Sequence, residues 1–112
     1  DGDDYIDGGT GDDVLNGGNG NDTFYFTGSF GADQIADSGT TNGDIADFTS
    51  IGGSITHNFG ATTYTAAVAG TSDSVTDTNR GVEEWRGGSG KDTYNVTSTN
   101  TKNVTLKGGA ND

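Results

Sequence analysis

The sequence predicts an all-β fold, a right-handed parallel β-roll with an irregular β-rich insertion. Three observations lead there. An Asp recurs every nine residues near the start, and each is followed two positions later by an apolar residue (Asp4 with Ile6, Asp13 with Leu15, Asp22 with Phe24). Gly fills the stretches before each Asp, as in "GGTGDD" and "GGNGND", so turns and very short strands alternate. Further on, "SITHNF" and "TTYTAAV" alternate in strand fashion, and no segment carries a helical period.

Composition excludes an ordinary core. Leu, Ile, Val and Phe make up 18 of the 112 residues, and the net charge is −12, values typical of chains that do not fold by apolar burial alone. The acid is 15 Asp against 2 Glu, opposed by only 5 Lys and Arg. Short carboxylates set among glycines suit turns and oxygen-rich cation sites better than helix surfaces. Such a charge disfavours nucleic acid and anionic membrane as partners. There is no Cys, hence no disulfide framework or thiolate metal site, and no apolar run approaches the ~20 residues that span a bilayer.

The units read "DGDDYID", "GGTGDDVLN" and "GGNGNDTFY". After a two-residue insertion, "GSFGADQIA" forms a degenerate fourth unit with Asp33 and Ile35. "GGSGKDTYN" at 87–95 is a full unit, and "GGAND" at 108–112 resembles a sixth. We read one domain in three parts: a repeat block 1–44, an irregular strand-rich segment 45–86 and a repeat block 87–112. The chain opens and closes part-way through a unit, as a segment of a larger protein would.

Gly-Gly-x-Gly-x-Asp-x-apolar-x resembles the calcium-binding nonapeptide of the RTX (repeats-in-toxin) proteins, well over 1–37 and 83–96 and loosely elsewhere. The resemblance implies a bacterial protein secreted unfolded by a type I route and folded by external calcium.

The spacing supports the same ion on physical grounds. A turn of six residues and a strand of three make half of a flattened coil, so equivalent turns stack every two units. Parallel strands lie about 4.8 Å apart, which leaves roughly 2.4 Å between a midway cation and the oxygens above and below. Candidate carboxylate ligands are Asp4, Asp13, Asp22, Asp33, Asp92 and Asp112, paired as Asp4 with Asp22, Asp13 with Asp33 and Asp92 with Asp112. Candidate loop positions, with carbonyls turned inward, are Gly8, Thr10, Asp12, Gly17, Asn19, Asn21, Gly87 and Ser89. Two or more calcium ions are expected. Because the core is thin, binding free energy should appear as folding free energy, with a chain disordered in the absence of calcium.

Other motifs carry less. No EF-hand, phosphate loop, nucleophile elbow or metalloprotease pattern occurs, so a non-enzymatic role is expected. The lone His57 is expected on a strand surface or edge. Glu83 and Glu84 should face opposite sides of a strand and so not act on one substrate. Trp85 is expected to pack inward, with a sugar-stacking platform alongside Tyr64 or Tyr94 as the alternative. That alternative makes the chain a calcium-dependent polysaccharide-binding module. The 18 Thr residues read as strand formers rather than an ice-binding array.

Overall fold

Short apolar-centred strands alternate with glycine turns and coil between two sheets, as the nine-residue period requires. In the computed structural model, the described residues are 2–37, 43–97 and 104–109. Among them there are eleven strands and no helix. The coil runs β1 (Tyr5–Ile6), β2 (Val14–Leu15), β3 (Thr23–Tyr25), β4 (Ala32–Ile35) and β5 (Ile45–Asp47). It continues through β6 (Ile55–Phe59), β7 (Tyr64–Val68) and β8 (Ser74–Asp77), then β9 (Glu84–Arg86), β10 (Thr93–Val96) and β11 (Thr105–Lys107).

The first sheet has the order β1-β3-β5-β9-β11, and every pair in it is parallel. The second has the order β10-β6-β7-β8-β4-β2 and is mixed. Its β2–β4, β4–β8 and β10–β6 pairs are parallel, whereas β6–β7 and β7–β8 are antiparallel. The all-β expectation and the parallel roll at the N-terminal end are therefore present. The register follows the repeat, with Tyr5 opposite Thr23 and Val14 opposite Gln34.

The insertion is narrower than the irregular 45–86 stretch. Its end strands β5 and β9 pair in parallel and keep the coil going. Only β6–β8 depart. The chain leaves β5, passes over two strand positions of the second sheet to form β6, then fills backwards with β7 and β8 before β9 returns beside β5. Tight turns make the reversal possible. Gly60 donates its N–H to the Thr63 carbonyl at 3.0 Å, and the Val68 N–H donates to the Asp73 carbonyl at 3.0 Å.

The space between the sheets is filled by one inward row from the first sheet and two from the second. The first sheet contributes Ile6, Phe24, Ala46, Trp85 and Leu106 in register. The second contributes Leu15, Ile35, Asp77, Tyr64 and Phe59, a row that ends on the exposed Val96, and beside them Asp13, Asp33, Val75, Ala66, His57 and Tyr94. At the N-terminal end the layer is one aliphatic side chain thick. Over the insertion it thickens into an aromatic cluster, with Phe48 stacked on Phe26 at 4.7 Å and on Trp85 at 5.9 Å between centroids. Burial of several rings there supplies the apolar area that the repeats lack.

One expectation about a single residue changes, and another is borne out. His57 is fully buried rather than on a surface or edge: its ring stacks on Tyr94 at 4.6 Å and lies edge-on to Trp85 at 5.9 Å. The strand phase decides this, because Ile55, His57 and Phe59 all point inward along β6. Trp85 packs inward as expected, and Tyr64 is buried with it, so neither offers an exposed flat face to a sugar.

Candidate metal centre

Each rung of the roll is tied to the next by one recurring bond. The residue at the start of a strand, or the one just before it, donates its N–H to a carboxylate on the register-equivalent residue of the following rung. In the first sheet the Asp4 N–H donates to Asp22 Oδ1 at 2.8 Å, Asp22 N–H to Asp44 Oδ1 at 2.8 Å, and Asp44 N–H to Glu83 Oε2 at 3.0 Å. On the opposite turns the Asp13 N–H donates to Asp33 Oδ1 at 2.9 Å, Gly31 N–H to Asp73 Oδ1 at 2.9 Å, and Ile55 N–H to Asp92 Oδ1 at 2.9 Å. One carboxylate oxygen per rung is thus committed to the backbone.

In Asp13, Asp22 and Asp92 the other oxygen turns into its own loop, against that loop's first glycine. Oδ2 of Asp13, Asp22 and Asp33 is buried and accepts no hydrogen bond from any described residue. A carboxylate can only accept, and leaving such an oxygen buried without a donor costs about 1–3 kcal/mol or more. Glycine shapes the room around it. A Cβ on Gly17 would lie 2.1 Å from Asp22 Oδ2, and one on Gly8 would lie 2.9 Å from Asp13 Oδ2. Gly87 stands in the same relation to Asp92, at 2.2 Å. Gly20, at φ +131°, brings the turn against the Gly2 carbonyl of the rung before, where a Cβ would sit 2.1 Å from the oxygen. The donor set is that of a hard cation: buried carboxylate oxygens with main-chain carbonyls close by. Among the described residues no three acidic or histidine side chains form a metal-holding group by themselves. Backbone carbonyls must therefore form the larger part of any coordination shell.

Charge accumulates along these columns. Burial pushes the Asp44 carboxyl up to about 7, the Asp22 N–H offsets part of this, and Asp37, Glu83 and Asp22 push it further. Asp33 is raised chiefly by burial, against the Asp13 N–H and with the charges of Asp13, Asp12 and Asp73. Asp77 is likewise raised by burial, although it closes its own turn by accepting from Gly81 N at 3.1 Å and Val82 N at 3.0 Å.

The sequence candidates fall into three groups. Asp13, Asp22, Asp33 and Asp92 carry the buried oxygens, with Gly8, Gly17 and Gly87 against three of them. Asp4 enters through its amide, the Asn19 carbonyl accepts the Gly2 N–H at 2.9 Å, and the Ser89 N–H donates to the Ile51 carbonyl at 2.8 Å. The side chains of Thr10, Asp12 and Asn21 are exposed: Asp12 Oδ1 takes the Ala32 N–H at 2.9 Å, and the Asn21 N–H reaches Asp3 Oδ1 at 2.9 Å. Asp112 lies outside the described residues, and the rung beneath Asp92 is the 48–54 turn, through Ile55.

Asp37, Asp44, Asp73 and Glu83 belong to the same lattice and were not among the candidates. Three of them carry the acid-x-apolar signature, in Asp44-Ile45-Ala46, Asp73-Ser74-Val75 and Glu83-Glu84-Trp85. They lack the glycine frame that marks a nonapeptide. Glu84 points the other way, onto the outer face with Arg86 and Lys107, as strand alternation requires.

A parallel coil that stacks acid on acid from rung to rung, with glycine turns in its N-terminal rungs, is a β-solenoid whose turns suit a hard cation. The family model of the RTX calcium-binding nonapeptide repeat, in four copies, matches residues 1–35, so this segment is similar to RTX calcium-binding repeats. No curated protein and no solved structure matches the chain.

Proposed function

We propose that this chain is a calcium-folded structural module of a secreted bacterial protein, which stiffens on reaching external calcium and supports the domains beside it. The reading is non-catalytic. The observation that carries it is the set of buried Oδ2 atoms on Asp13, Asp22 and Asp33, which have no hydrogen-bond donor. A divalent ion offsets their charge and supplies the missing partner, so that ion binding and the folding of the repeat rungs are one equilibrium. Far-UV circular dichroism during a calcium titration tests it. The signal should pass cooperatively from coil-rich to sheet, with magnesium less effective because it tolerates only near-octahedral geometry. A spectrum indifferent to calcium would refute the proposal.

A further inference from the structure

Asp37 lies past the matched repeats, in register with Gly17, at a place where a nonapeptide unit carries its first glycine. Its Oδ1 accepts the N–H of Gly17 at 3.0 Å and of Gly18 at 2.8 Å. Asp22 Oδ2 reaches the same glycine from within the loop, to 2.1 Å of where a Cβ would stand. Asp22 is fully buried, and this oxygen has no hydrogen-bond partner. Asp37 is buried as well, and Asp44 one rung on holds the Asp22 amide.

We propose that a divalent cation of the calcium class is held at Gly17 by Asp22 and Asp37, with Asp44 supplying further negative charge. This rests on the calcium reading of the repeats but places an ion where no complete nonapeptide supplies the second half. Two carboxylates on adjacent rungs converge on one backbone position, and nearby main-chain carbonyls complete the shell. The turn is therefore not a degenerate end of the calcium column but a continuation of it by different residues.

The test counts bound calcium on the 112-residue chain by competition with a chromophoric chelator, alongside circular dichroism. Asp37→Asn keeps an oxygen for the Gly17 and Gly18 amides and removes only the charge. It should bind one ion fewer than wild type while reaching the same folded spectrum in excess calcium. Asp13→Asn, on the opposite turns, should affect a different ion and leave this one. An unchanged count in Asp37→Asn, with Asp13→Asn impaired, overturns the inference and leaves the repeat reading standing. Absence of calcium binding by wild type overturns both. Should Asp37→Asn fail to fold, Asp44→Asn decides: one site should weaken at least severalfold, and unchanged affinity at every site overturns the inference.

Discussion

The amide of Asp4 donates to Oδ1 of Asp22, one full coil later, at 2.8 Å. The bond divides the labour of a single carboxylate. Oδ1 fixes the register of the preceding rung, and Oδ2 is left for the ion. Replacing Asp22 by Asn should preserve the first task and impair the second, whereas Ala removes both. The calcium concentration at half-folding should rise in the order wild type, Asp22→Asn, Asp22→Ala. Loss of the charge-assisted bond alone, about 1.5 kcal/mol, adds roughly tenfold for Ala. Equal midpoints for Asn and Ala in a circular dichroism titration would show that Oδ1 carries no register energy.

Gly17 should be far less replaceable than Gly52. A methyl group at 17 meets Asp22 Oδ2 at 2.1 Å, while one at 52 finds only Ser89 Oγ at 3.9 Å. Gly17→Ala is expected to lower calcium affinity by at least an order of magnitude. Gly52→Ala should stay within about 0.5 kcal/mol of wild type in a thermal melt at saturating calcium. A Gly17→Ala chain with normal affinity would place the ion elsewhere.

Acid should partly replace calcium. Burial pushes the Asp44 carboxyl up to about 7 in the folded chain, and Asp33 and Asp77 are also raised above the ordinary carboxylate range, chiefly by burial. A carboxyl raised on folding binds more protons in the native state, so stability falls as pH rises between the unfolded and folded values. For Asp44 that window runs from about 4 to about 7. Glu84 opposes this at the acid end. Burial raises it, but hydrogen bonds from Arg86 and Lys107 and their charges leave it below 4.5, so its contribution is lost in acid. In chelator, the melting temperature should climb from pH 7.5 to pH 5. A flat or falling trend over that interval would contradict the assigned burial of Asp44.

Without calcium, protection against hydrogen exchange should be uneven. Strands β6–β8 pair antiparallel around Phe59, Tyr64, His57 and Trp85 and need no ion between them. Strands β1–β4 themselves bring only Ile6, Leu15, Phe24 and Ile35 inward, among carboxylates, while Phe26 and Phe30 in the turn after β3 join the aromatic cluster. Amides of 55–77 should exchange slowly in chelator and those of 2–35 quickly, with calcium removing the contrast. Uniformly fast exchange would mean that the insertion also depends on the ion. Trp85→Ala should remove the protected core, at a cost of about 3–5 kcal/mol.

The parallel part was legible because its period is nine and calcium-oxygen distances match strand spacing. Leu15 opposite Ile35 and Ile6 opposite Phe24 follow from counting alone. The backfilled strands were not, since an alternating run such as "TTYTAAV" does not encode direction; the turns at Gly60 and Gly70 set it. His57 was misplaced because its polarity outweighed its phase with Ile55 and Phe59. Asp44, Asp73 and Glu83 stand outside any Gly-Gly-x-Gly-x-Asp frame and so carry no repeat signal, whereas the lattice requires only an acid just ahead of a strand.

One inward row of the second sheet runs Asp13, Asp33, Val75, Ala66, His57, Tyr94. It changes from ionic to ring-on-ring across six adjacent strands, so the two ends of this small solenoid answer to different forces. Drawn from its N-terminal side as calcium drains away, the roll should peel one rung after another and halt at the aromatic block. Restored calcium would let it rewind onto that block, which keeps the template for the register.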